Sequence, residues 1–154
     1  MKYSLLTILL ILCFSCGLEQ AYIPVNFMQG KYLIPKDTDS QIIETIYTAI
    51  STYEENYGAC PITVRFNFRE YPFNLDGQLA GGASYGGLVE IGIHHTSSCD
   101  TCYVIFHELT HSCRGIHNEE DYWQKPLWEL TYQLANKGMC KNGTKELYNP
   151  YLWN

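Results

Sequence analysis

Three features of the amino-acid sequence predict an α+β domain. Residues 62–69 alternate, with Ile62, Val64, Phe66 and Phe68 set against Thr63, Arg65, Asn67 and Arg69, which is the period of a half-buried strand. Residues 38–58 and 99–117 instead repeat apolar side chains at helical spacing. The resulting order of strand, helix, strands, helix and a last helix is that of an α+β fold. With 154 residues and no internal repeat, low-complexity tract or linker, the chain reads as a single domain.

The amino terminus is set apart from that domain. Lys2 followed by the apolar run Leu5 to Phe14 has the charged start and short hydrophobic core of an export signal, too short to span a bilayer as a mature anchor. Residues 1–15 are therefore excluded from the fold, and 16–154 form the domain. The end of the run, Cys13-Phe14-Ser15-Cys16-Gly17, resembles a bacterial lipobox. That resemblance implies cleavage before Cys16, lipid on Cys16 and a cell-envelope lipoprotein; simple secretion, with cleavage near Ser15 or Gly17, is the alternative.

Losing residues 1–15 removes Lys2 and no other charge, so the net charge goes from −6 to −7. No basic cluster is present to neutralise phosphates, which excludes nucleic acid as a partner. Beyond Cys16 the cysteines are Cys60, Cys99, Cys102, Cys113 and Cys140. Outside the cytoplasm some of these pair, and an odd number leaves at least one without a partner in its own chain.

Taken in order, Tyr22-Ile-Pro-Val-Asn-Phe27 is an extended segment in which Pro24 suits an edge or first position. Thr38 and Gln41 have capping-box spacing at the start of a helix. Ile42, Ile46, Ala49, Ile50, Tyr53 and Tyr57 then line one face of it until Gly58. The alternating strand follows, and Asn74-Leu-Asp-Gly77 makes a turn. Gly77, Gly81, Gly82, Gly86 and Gly87 precede a strand carrying Val89, Ile91 and Ile93 on one face. This glycine-rich stretch reads either as a mobile hairpin or as a substrate-binding edge where another backbone comes close. His94 and His95 end that strand as neighbours pointing to opposite faces, so a loop role is expected of them and not a shared metal. After His117 comes the polar turn Asn118 to Asp121. Pro126 then opens a helix that carries Leu127, Leu130 and Leu134 inward until Gly138. The tail, with Tyr148, Tyr151 and Trp153, is aromatic enough to pack on the domain.

The chemistry concentrates in residues 99–117, read as one helix. Cys102, Ile105, Phe106, Leu109 and Cys113 form its core stripe, and Gly115 is a stop before His117. His107 and His111 lie about 40° apart on one face, one turn from each other, so both imidazoles reach one metal ion. Glu108, about 100° round from His107, is poorly placed to be a ligand and well placed to approach a metal-bound water. His-Glu-x-x-His is the zinc-hydrolase signature.

On these residues and this order of elements the chain resembles the metzincin metallopeptidases, with astacins and matrixins as the nearest forms. His107, Glu108, His111 and His117 fall on the reactive positions of the family's extended motif. Ile23-Pro24, the helix reaching Tyr53, the alternating strand and Cys99-Asp100 resemble the astacin amino-terminal half, so the resemblance covers roughly residues 21–117. It implies a small zincin-like α+β domain with a twisted mixed sheet, a backing helix and an active-site helix. It further implies one zinc ion held by His107, His111 and His117, with Glu108 as general base on the zinc-bound water. The reaction implied is hydrolysis of a peptide or protein substrate outside the cytoplasm. The edge near residues 82–91 would hold an extended peptide, and Arg114, Tyr132 and Tyr148 are candidates to stabilise the oxyanion.

The family pattern is altered in two places. Arg114 stands where a glycine turns the chain, with Gly115 one position later, and Met139 is the sole candidate for the family's Met-turn. Cys99 and Cys102 are two residues apart, but a second such pair is missing, which disfavours a four-thiolate site. Cys99 is expected to bridge to Cys60 or near Cys102, whereas Cys102 and Cys113 are about 16 Å apart along the helix and cannot bond. Two other readings stand beside the metzincin one. A gluzincin-type peptidase would take Glu129 as third ligand, and a non-catalytic envelope protein would use the metal only to brace a small domain or binding surface.

Overall fold

The computed structural model describes residues 21–26, 30–75, 77–117 and 121–141. The expected export signal, Cys16, Phe27, residues 118–120 and the tail with Tyr148 lie outside the described residues. Among the described residues seven strands and three helices follow in order. They are β1 (Tyr22–Asn26), β2 (Lys31–Pro35), α1 (Ser40–Tyr57), β3 (Thr63–Glu70), β4 (Phe73–Leu75), β5 (Gln78–Ala80), β6 (Gly82–Tyr85), β7 (Leu88–Ile93), α2 (Ser98–Arg114) and α3 (Asp121–Asn136). The fold is α+β. A five-stranded mixed sheet has the order β1-β2-β3-β7-β6, and β4 and β5 form a separate hairpin. β2, β3 and β7 run parallel, while β1 and β6 close the two edges antiparallel.

Alternation within the strands decides which face is covered. Tyr32 and Ile34 on β2, Val64 and Phe66 on β3, and Val89 and Ile91 on β7 are buried in one core with Ile46, Ala49, Ile50 and Tyr53 of α1 and Cys102, Ile105, Phe106 and Leu109 of α2. On the other face Asn67 and Arg69 donate to the Glu90 carboxylate across the β3–β7 pair. Leu127, Leu130 and Leu134 of α3 join the core beside α2.

Several boundaries depart from the sequence reading. β2 has no counterpart in it, because five residues ending in proline carry little pattern alone; pairing with β1 and β3 makes the strand. The cap of α1 is Asp39, which accepts from the Gln41 N–H, while the Thr38 hydroxyl turns back to donate to the Pro35 carbonyl. The expected single helix over 99–117 ends at Arg114, because Gly115 takes the left-handed conformation and its N–H bonds the His111 carbonyl. α3 starts at Asp121 and so contains Pro126 instead of opening on it. Pro126 withholds one helical bond that would have come from its nitrogen, and the Trp123, Leu127, Leu130 and Leu134 packing holds the helix through it.

The cysteines pair as Cys60–Cys113 and Cys99–Cys140, which corrects the expected partner of Cys99. The reason is topological. Cys99 sits in the first turn of α2 beside the chain leaving α3, and Cys113 sits in the last turn beside the segment leaving α1. The two disulfides therefore pin α2 at opposite ends. Cys102 remains a buried free thiol against α1, pushed up to about 12 by burial.

Candidate metal centre

α2 is aimed by its start. Ser97 caps it by accepting from the Asp100 N–H, directly after β7 has delivered the chain to the edge of the core. The helix then buries Cys102, Ile105, Phe106 and Leu109 and leaves His107 and His111 on a side that the sheet does not cover. Their Nε2 atoms stand 3.0 Å apart. Two imidazole nitrogens on one tetrahedral zinc, each about 2.0–2.1 Å from it, would be separated by about 3.3 Å. The pair thus already has the spacing of two corners of such a site. Two bare lone pairs at that distance repel, so the contact calls for a proton or a cation between them.

The turn after the helix orients one ring. Gly115 folds the chain so that the Ile116 carbonyl reaches back to His111 Nδ1, which donates to it in a short hydrogen bond. The Nδ1 proton leaves the His111 lone pair on Nε2, where it faces His107. Burial, with His111 close by as the second cause, lowers His107 to about 4, so its ring is neutral over the physiological range.

Glu108 lies round the helix, under the edge strand. It is 4% exposed. A Cβ on Gly82 of β6 would come within 2.5 Å of Glu108 Oε1 and 2.7 Å of its Cγ, so glycine lets this carboxylate sit where it does beneath the strand, and a larger residue would displace one or the other. One turn further on, the Ser112 hydroxyl meets that of Ser84 on β6 at 2.5 Å, which fastens strand to helix beside Glu108. No family model, curated protein or solved structure matches the chain.

The remaining candidates fall at different distances from the pair. His117 is exposed, its ring parallel to that of His111 with centroids 5.9 Å apart. Among the described residues no three His, Cys, Asp or Glu side chains stand as a metal-binding group, so the structure brings two expected ligands together and leaves the third alongside. Glu129 is exposed on the side of α3 near Tyr57, whose phenol is raised by burial with a smaller contribution from Glu129. The Arg114 guanidinium lies 5.2 Å over the same Tyr57 ring, and Tyr132 is half-buried against the core. Met139 is exposed at the far end of α2, beside a cavity bordered by His94 and His95.

Gly82, Ser84, Ser112 and Trp123 belong to the centre without having been singled out individually by sequence. The glycine-rich stretch signalled a close approach of backbone at Gly82. Trp123 carried no signal, because its helix was expected to begin only at Pro126. It is buried, with its ring centroid 4.9 Å from that of His107 and 5.4 Å from that of His111.

Proposed function

We propose that this chain is a zinc-dependent peptide hydrolase of zincin-like architecture that works outside the cytoplasm. The observation that carries the reading is the convergence of His107 and His111 Nε2 at 3.0 Å, with Glu108 at the next position wedged beneath an edge strand. An antiparallel edge strand beside the histidine helix, backed by α1 on the same face of a mixed sheet, supports the metzincin resemblance. Two disulfides suit an oxidising compartment, in keeping with export and with the proposed lipid on Cys16.

Zinc would be held by His107, His111 and His117, and when bound it supplies a Lewis acid that acidifies water and polarises a carbonyl. The chain's own residues supply the rest. The Ile116 carbonyl keeps the proton of His111 on Nδ1, so that ring presents the lone pair of its Nε2, and burial keeps His107 neutral. Gly82 and the Ser84–Ser112 contact hold β6 against α2 and fix the height of the Glu108 carboxylate. Glu108 takes a proton from the attacking water and passes it to the leaving amine. Among the described residues β6 pairs with β7 alone, and its outer edge offers backbone groups to an extended peptide.

The alternative reading is a metal that only braces the domain. Glu108→Gln separates the two readings. In the hydrolase the variant keeps its zinc and loses peptide hydrolysis by about 10²- to 10⁴-fold, the worth of a general base. A zinc-loaded wild-type chain that cleaves neither an unfolded protein nor a peptide library would leave the bracing reading in possession.

A further inference from the structure

The two imidazoles need something behind them. A helix residue at i and another at i+4 share a face, but their rings still turn about two side-chain torsions each, and convergence at 3.0 Å requires both to be held. His111 has the Ile116 carbonyl on its Nδ1. Trp123 lies against both rings at once, tilted 45° to that of His107 and nearly perpendicular, at 71°, to that of His111. The indole has little freedom of its own, being 5% exposed. Next to it Tyr103 stacks on Trp128 at 3.8 Å, donates its hydroxyl to Gln124, and lies 6.0 Å from the His107 ring. Trp123 and Trp128 of α3, with Tyr103 of α2, thus form an aromatic layer beside the histidine face of α2.

We infer that Trp123 is the positioning residue of the proposed zinc site, the apolar base that sets the angle between the His107 and His111 rings and keeps water from their inner side. The inference rests on the zinc reading of this pair and adds a residue to it. An apolar layer behind ligating imidazoles limits solvent access and fixes ring orientation, and support of this kind is worth about 10- to 100-fold in metal affinity. Met139, the residue the family pattern offered for the carboxy-terminal half, lies half-exposed at the other end of α2 and cannot fill this place.

The experiment is Co2+ titration of the full chain, followed by its visible d–d absorption, for wild type, Trp123→Ala and Trp123→Phe, with far-UV circular dichroism to confirm that each is folded. Wild type is expected to give an intense low-coordinate band. Trp123→Ala should bind Co2+ at least about tenfold more weakly with a weaker, shifted band, and Trp123→Phe should restore most of both. A folded Trp123→Ala that matches wild type in affinity and band, while wild type binds, overturns this inference alone. A wild type that takes up no Co2+ ends the zinc reading, and the inference falls with it. Should Trp123→Ala fail to fold, the double variant Trp128→Phe, Trp153→Phe leaves Trp123 as the sole indole. Its emission should then be quenched by stoichiometric Cu2+, and unchanged emission at saturation would contradict contact with the site.

Discussion

His107 and His111 share a helix four residues apart and their Nε2 atoms meet at 3.0 Å; His94 and His95 are adjacent in the connection between β7 and α2. His94 is half-buried with its ring on Tyr71, lowered by burial against a smaller opposing effect of Asp100, while His95 is exposed. Both border a cavity of about 760 Å3 at the amino-terminal end of α2. Each pair consists of two imidazoles. Backbone geometry separates them: a 3.6-residue period returns i and i+4 to one face, whereas His94 and His95, expected to end the strand, follow it in a loop because β7 stops at Ile93.

The disulfides give the largest test of that contrast, since one pins each end of the same helix. Replacing Cys60 and Cys113 by serine, or Cys99 and Cys140, should each cost about 2–5 kcal/mol, read by denaturant unfolding. Only the first pair adjoins the turn that carries the Ile116 carbonyl to His111, so zinc affinity should fall in that variant and hold in the other. Equal zinc loss in both would mean that α2 acts as one rigid body and that its two ends do not differ.

A smaller effect is expected at Gly82. Alanine there meets Glu108 at 2.5 Å, so the carboxylate or the strand must give way. Gly82→Ala should lower stability by about 1–3 kcal/mol and depress hydrolysis while leaving zinc bound, measured by thermal melting beside a peptide assay. Undiminished hydrolysis would place the base elsewhere.

Smaller again is the third ligand. His117→Ala should weaken zinc by at least about tenfold, and Glu129→Ala should leave it in place. Equilibrium titration of the two reads the difference, and the reverse result would convert the assignment to a site completed from α3.

Much of this was legible in residues. The alternation of Val64 and Phe66 and the helical repeat from Ile42 to Tyr57 are local patterns, and both elements form where they were read. The i, i+4 histidines were legible for the same reason. β2 was not, since its strand character comes from partners distant in sequence. The cysteine pairing was equally hidden: Cys99 and Cys140 are 41 residues apart, and their meeting depends on how α3 returns along α2. Trp123 escaped because Pro126 looked like a helix start, a local rule overruled by packing on both sides of the proline. Gly115 was read correctly as the stop, but its consequence, a carbonyl placed on His111 Nδ1, needed three dimensions.

The central claim is that the helix pair, and not the strand-end pair, holds zinc. Equilibrium zinc titration against a chromophoric chelator should be run on wild type, on His107→Ala with His111→Ala, and on His94→Ala with His95→Ala. Wild type and the strand-end variant should each take up one zinc with affinities within about twofold, and the helix variant should lose more than about 100-fold. Zinc retained by the helix variant, or lost from the strand-end variant, would contradict the account.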